Sequence, residues 1–106
     1  MYRGTTPTLT FTLPFAASEL EILSIAFSQV NPLNGLSPKL VFEKKLSDCT
    51  LSGNVVRVEL SENDTLMLSG GKTVEIQLRA AVGDKRMASK IFSIPVDSIL
   101  KDGVLT

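Results

Sequence analysis

Few side chains in this sequence are of a type that could do chemistry, and their spacing says what that chemistry would have to be. Histidine is absent, which removes the usual general base and the commonest metal ligand. The single cysteine, Cys49, has neither a second thiol nor an imidazole to activate it, so it reads as a packing group in a hairpin and not as a nucleophile or zinc ligand. Glu62 and Asp64 form an acid pair on paper. They stand just after Ser61, in the pattern Ser61-Glu62-Asn63-Asp64, where a helix start favours carboxylates through capping and the helix dipole. Ser69-Gly70-Gly71-Lys72 has the residue types of a phosphate loop without its spacing, and it leads into a strand, so it reads as a turn. Asp97 and Asp102 lack calcium-loop spacing. The basic pairs Lys44-Lys45 and Lys85-Arg86 are isolated and read as solvated. With one tyrosine and no tryptophan, a stacking platform for bases or sugars is thin. The expectation is a chain that is not an enzyme, with no catalytic residue, cofactor, metal or small-molecule substrate.

Bulk properties narrow the remaining classes. A chain of 106 residues is one domain, large enough to bury a core without covalent staples. Its hydrophobic content of 43% argues against disorder. The formal net charge is zero, and acids and bases are interspersed, so the broad basic field of a nucleic-acid binder is missing. Little repulsion opposes association of copies. No apolar run approaches the roughly 20 residues of a membrane span. The polar start lacks the apolar region of a signal peptide, which predicts synthesis in a cytoplasm.

The elements that would position any functional residue are strands. In Thr73-Val74-Glu75-Ile76-Gln77-Leu78-Arg79-Ala80-Ala81-Val82 every second residue is apolar, which makes one dry and one wet face and predicts the central strand of a sheet. Residues 7–13 predict a first strand, with Leu9, Phe11 and Leu13 inward, Thr8, Thr10 and Thr12 outward, and Pro14 as its stop. Residues 21–30 predict a second, preferred over a helix because Ile, Phe and Val dominate. Asn31-Pro32-Leu33-Asn34-Gly35 reads as a loop. Residues 39–46 predict a third strand with Leu40 and Phe42 inward, leaving the core near Lys44. Gly53-Asn54 signals a hairpin in which Ser52 pairs with Val55, Leu51 with Val56 and Cys49 with Val58. One or two helical turns follow Ser61 and stop at Gly70-Gly71. A return strand over 86–96, with Gly83-Asp84 in the hairpin loop before it, changes phase near Ile91-Phe92 and calls for a bulge there, while Pro95 places it at an edge.

The pattern predicts an all-β chain: an immunoglobulin-like antiparallel β-sandwich of about seven strands with a short helical crossover. A small β-barrel is the alternative architecture. The expected core is Leu9, Phe11, Leu23, Ile25, Phe27, Leu40, Phe42, Val56, Val58, Val74, Ile76 and Leu78. Residues 1–6 read as an extended arm, and 97–106 as a tail in which Ile99 and Leu100 can pack back.

Arg3-Gly4-Thr5-Thr6-Pro7-Thr8-Leu9-Thr10-Phe11-Thr12-Leu13-Pro14-Phe15 resembles the opening of small structural proteins of bacteriophages and prophages of Gram-positive hosts, in particular the N-terminal domain of the upper baseplate proteins of long-tailed phages. The likeness continues more loosely through Leu40-Val41-Phe42-Glu43-Lys44, residues 74–79 and Ile99-Leu100-Lys101-Asp102-Gly103. The resemblance implies a non-enzymatic virion component of the tail or baseplate whose partners are other phage structural proteins or its own copies. Domains of that family attach a fibre or receptor-binding module. This chain ends at Thr106 with no coiled coil or second domain, which shifts the expected role to assembly. A surface adhesion module binding a host protein or glycan is the competing expectation, weakened by the missing signal peptide. The residues expected at an interface are Tyr2 and Arg3, of types enriched in contacts, and Thr8, Thr10 and Thr12 on an edge with no charge to discourage strand addition.

Overall fold

The computed structural model describes residues 1–30 and 38–105, and the expected loop at 31–35 lies outside them. Among the described residues eight strands form two antiparallel sheets. One sheet has β1 (Thr8–Thr12), β5 (Val55–Glu59) and β4 (Cys49–Ser52), in that order. The other runs β3 (Pro38–Lys45), β2 (Ile22–Val30), β6 (Lys72–Val82), then β7 (Lys85–Ala88) and β8 (Phe92–Val96) side by side on the far flank of β6. A 3₁₀ turn at Ala17–Glu19 carries the chain from β1 to the second sheet, another at Leu46–Asp48 brings it back, and helix α1 (Glu62–Leu66) crosses again from β5 to β6.

This is the strand order of an immunoglobulin-like sandwich. The β1-β5-β4 sheet corresponds to strands B, E and D, and the β3-β2-β6-β7/β8 sheet to C′, C, F and G. Among the described residues no strand occupies the position of A, beside B. The eighth strand, one more than expected, comes from division of the return strand. Its two halves pair with β6 in registers that differ by one residue, Arg79 opposite Ala88 but Ile76 opposite Phe92. The bulge expected from the phase change therefore occupies residues 89–91. Ser89 stabilises it: its N–H donates to the Leu78 carbonyl, and its Oγ accepts the Leu78 N–H at 3.0 Å.

The core lies between the sheets. Leu23, Ile25 and Phe27 from β2 meet Val74, Ile76 and Leu78 from β6, with Val56 and Val58 from β5 above them, all buried. Phe27 stacks on Phe42 with ring centroids 4.4 Å apart. Leu9, Phe11 and Phe42 are half-buried against this cluster. Leu40 is not in the core: it is 55% exposed. A register shift between Phe27 and Ser28 sets Phe42 opposite Phe27 but Leu40 opposite Ser28, which turns Leu40 to the outer face. Leu20, Leu60, Leu68 and Val96 complete the core from strand ends and turns.

The β4–β5 hairpin has the expected register, Cys49 to Val58, Leu51 to Val56 and Ser52 to Val55, with Gly53 at φ +57° in its turn. Ser61 caps α1: its Oγ accepts the Asp64 N–H at 3.1 Å and the Asp64 carboxylate accepts the Ser61 N–H at 2.8 Å.

Candidate functional site

The polar residues with chemical potential are each engaged in holding the fold. Asp64 caps α1 and also pairs with Lys44, whose Nζ lies 2.7 Å from Asp64 Oδ2. Burial pushes the Asp64 carboxyl up, but the Lys44 ammonium and the Ser61 hydrogen bonds outweigh it and hold the pKa below the ordinary value. Lys44 does lie in the inward phase of β3, as its spacing indicated. The strand ends one residue later, at Lys45, and Asp64 meets the ammonium at that end. Glu62 is not joined to Asp64 in a dyad, since its Oε2 accepts the Leu105 N–H at 3.0 Å. The backbone of the glycine turn is occupied too: the Ser69 N–H donates to Gln29 Oε1 and the Gly71 N–H to the Val96 carbonyl. Cys49 is half-buried against the core, and its Sγ approaches the Lys45 carbonyl at 3.4 Å. Burial pushes its thiol up, the Asp48 charge adds to this, and Lys44 opposes it. A raised pKa keeps the sulfur protonated and a weak nucleophile. Among the described residues no group of three or more Cys, Asp or Glu is placed to hold a metal ion. Among the described residues no helix is long and apolar enough to cross a membrane.

Of the residues expected at an interface, Arg3 sits inside the domain's own contacts. Its guanidinium donates to the Leu66 carbonyl at 2.9 Å and the Leu68 carbonyl at 2.6 Å, and pairs with Asp102. Those carbonyls end α1 and the turn after it, where a cation is favoured. Residues 1–6, read as an arm, are tied down. The Met1 side chain is 3% exposed, the Met1 carbonyl accepts the Asp97 N–H, Arg3 N–H donates to the Asp97 carbonyl, and Thr5 N–H donates to Thr65 Oγ1. Tyr2, 58% exposed, makes a single parallel bridge to Asp97. In the tail, Ile99 packs beside Gly4 and is half-buried, while Leu100 is fully exposed.

Thr8, Thr10 and Thr12 form the exposed face of β1. The Leu60 N–H donates to the Pro7 carbonyl and the Leu13 N–H to the Asn54 carbonyl, so the odd-numbered residues of β1 direct their backbone groups at β5. In an antiparallel pair this alternates. The N–H and C=O groups of Thr8, Thr10 and Thr12 therefore point away from β5, along the free edge. Pro7 and Pro14 bound that edge, and residues 7–18 contain no charged side chain.

Beneath the edge runs an open seam. A groove of about 890 Å³ separates β1 from β7 and β8, lined by Leu9, Phe11, Leu13, Phe15, Phe92 and Ile94 among others. Phe11 and Phe92 meet across it at a tilt, with centroids 5.9 Å apart. The seam is where strand A would pack beside B in the complete sandwich. Met1 packs against the core, and its terminal amino group donates to the Pro95 carbonyl at 2.9 Å. Sequence reading found the edge but not the seam, because periodicity shows that Phe11 faces inward without showing whether anything faces it.

One further residue was legible and missed. Gln29 continues the inward phase of Leu23, Ile25 and Phe27 and is buried. A buried amide needs partners, and it grips the Ser69 backbone at both ends, Nε2 to the carbonyl at 3.1 Å and Oε1 to the N–H at 2.8 Å. Compared with protein-family models, with curated proteins and with solved structures, the chain finds no match in any of the three.

Proposed function

We propose that this chain is a non-enzymatic structural protein of a bacteriophage or prophage particle, a tail or baseplate component that works through protein–protein contacts. The observation that carries the contact role is the uncharged edge of β1, unpaired among the described residues, above an apolar seam, an arrangement suited to an added strand whose backbone pairs with the edge and whose alternate side chains enter the groove. The likeness of residues 3–15 to phage structural proteins supports the virion assignment, and β1 lies within that stretch. The engagement of Asp64, Glu62 and the Ser69–Gly71 backbone in structural bonds favours assembly over catalysis.

The test is incorporation. Particles recovered from an induced lysogen carrying the native chain contain it in constant proportion to the major tail protein, and Thr10→Lys, with its fold verified by circular dichroism, is excluded from them. Native chain absent from purified particles overturns the virion assignment. Specific retention on a host glycan or host-cell surface protein would favour the adhesion reading instead.

A further inference from the structure

We propose that the occupant of this edge and seam is the β1 strand of a second copy of the chain, paired antiparallel about a two-fold axis at Thr10. This rests on the contact role proposed above and names the partner. Charge selects the partner face. A second copy presents the same uncharged Thr8–Thr12 edge, so the two meet without repulsion, whereas the β7–β8 flank carries exposed Lys85, Arg86 and Lys90 and would repel its own counterpart. The edge of β3 bears Lys39, Glu43 and Lys45, and β4 spans only four residues. β1, with five residues, is the longer of the two uncharged edges among those described, and the one that borders the apolar seam.

The register follows from which backbone groups are free. Only Thr8, Thr10 and Thr12 direct both N–H and C=O outward along the strand. An axis at Thr10 sets Thr10 opposite Thr10 and Thr8 opposite Thr12 of the other copy, so every free group in the strand finds a partner. An axis at Thr12 would oppose Thr10 to Pro14, which has no N–H. With the axis at Thr10, Leu9 of each copy lies opposite Phe11 of the other, on the face that looks into the seam. The incoming strand takes the position of the missing A strand, and its Leu9 and Phe11 cover the groove that the monomer leaves open. The result is one continuous sheet in the order β4-β5-β1 followed by β1-β5-β4 of the second copy, an isologous contact that closes at two copies.

The experiment uses the full chain in two forms. Sedimentation velocity over a concentration series shows a reversible monomer–dimer equilibrium, and Thr10→Lys, which sets two ammonium groups opposite each other, raises the dissociation constant about tenfold or more. In a Cys49→Ser background, Thr10→Cys oxidises to a disulfide-linked dimer, because directly opposed residues stand about 5.5 Å apart at Cα. Thr8→Cys alone forms no disulfide-linked dimer under the same oxidant, but mixed with Thr12→Cys it forms the disulfide-linked mixed dimer. A native chain that remains monomeric at high concentration overturns the proposal, as does a dimer unaffected by Thr10→Lys or a Thr8→Cys homodimer as efficient as that of Thr10→Cys. A monomeric chain whose entry into particles still depends on Thr10 points to a different protein on the same edge, which overturns the second-copy assignment and leaves the virion assignment standing. A Thr10-dependent dimer absent from particles does the reverse.

Discussion

The β1 edge and the β7–β8 edge face each other across the seam and are built on opposite principles. The β7–β8 edge carries three devices that natural sheets use against unwanted pairing: exposed Lys85, Arg86 and Lys90, a bulge at residues 89–91, and Pro95 within β8. The β1 edge carries none of these between its bounding prolines, only threonines suited to a sheet. Below both edges the side chains are apolar, Leu9 and Phe11 on one flank and Phe92 and Ile94 on the other. The contrast teaches that exposed apolar area does not by itself mark a contact surface. Backbone availability and the absence of charge decide which flank can accept a strand.

The largest expected effect tests whether both edges depend on one core. Ile76 is fully buried at the centre of β6, opposite Phe27 on one side and Phe92 on the other. Ile76→Ala should lower stability by about 2–5 kcal/mol through lost burial and a cavity, seen as an earlier midpoint in urea unfolding. A change near zero would mean that the edges are supported independently.

A smaller effect concerns the guarded edge of β3, which Lys44 ties to α1. Asp64→Asn leaves the Lys44 ammonium partly buried without its counter-charge and should cost about 1–3 kcal/mol at neutral pH. Because the folded Asp64 pKa lies below its unfolded value, its contribution is full above the unfolded pKa and is lost as pH falls through the folded one. The native protein should therefore lose its advantage over Asp64→Asn below about pH 4. Parallel stability curves for the two proteins between neutral and acid pH would sink this account.

Removing the guards sharpens the comparison directly. Changing Lys85, Arg86 and Lys90 together to Thr touches exposed side chains, so stability should move by only about 0.5 kcal/mol. Self-association should rise, and should persist when Thr10→Lys is added, because a second edge has been opened. If light scattering finds no new association, the bulge and Pro95 guard that flank without the charges.

The smallest effect is local. Amide exchange should alternate along β1, with Leu9, Phe11 and Leu13 protected by β5 and Thr8, Thr10 and Thr12 exchanging fast in the dilute monomer. Uniform protection at the lowest concentration would show the edge already covered.

Where period-two alternation coincided with a single dry face, the elements were readable from residues alone: β6, the β4–β5 register, the Ser61 cap and the bulge before Phe92. Each is signalled by neighbours in sequence, through an alternation, a turn dipeptide, a cap or a break in phase, so local pattern carries the information. Leu40 turns outward because β3 itself carries the extra residue, Val41, between Phe42 and Leu40, and the unbroken apolar run Leu40-Val41-Phe42 hides that change of phase in the sequence. Arg3 was read as a surface residue because its acceptors, the Leu66 and Leu68 carbonyls, lie more than sixty positions away.

The sequence by itself determined that this is an all-β chain with an uncharged threonine-faced strand near its start, since composition and alternation are local properties. Only the tertiary structure decided that this strand ends a sheet and that a seam opens beneath it. Edge position depends on which strands pair over long distances, and in β structure those pairings follow from the packing of two whole sheets around one core.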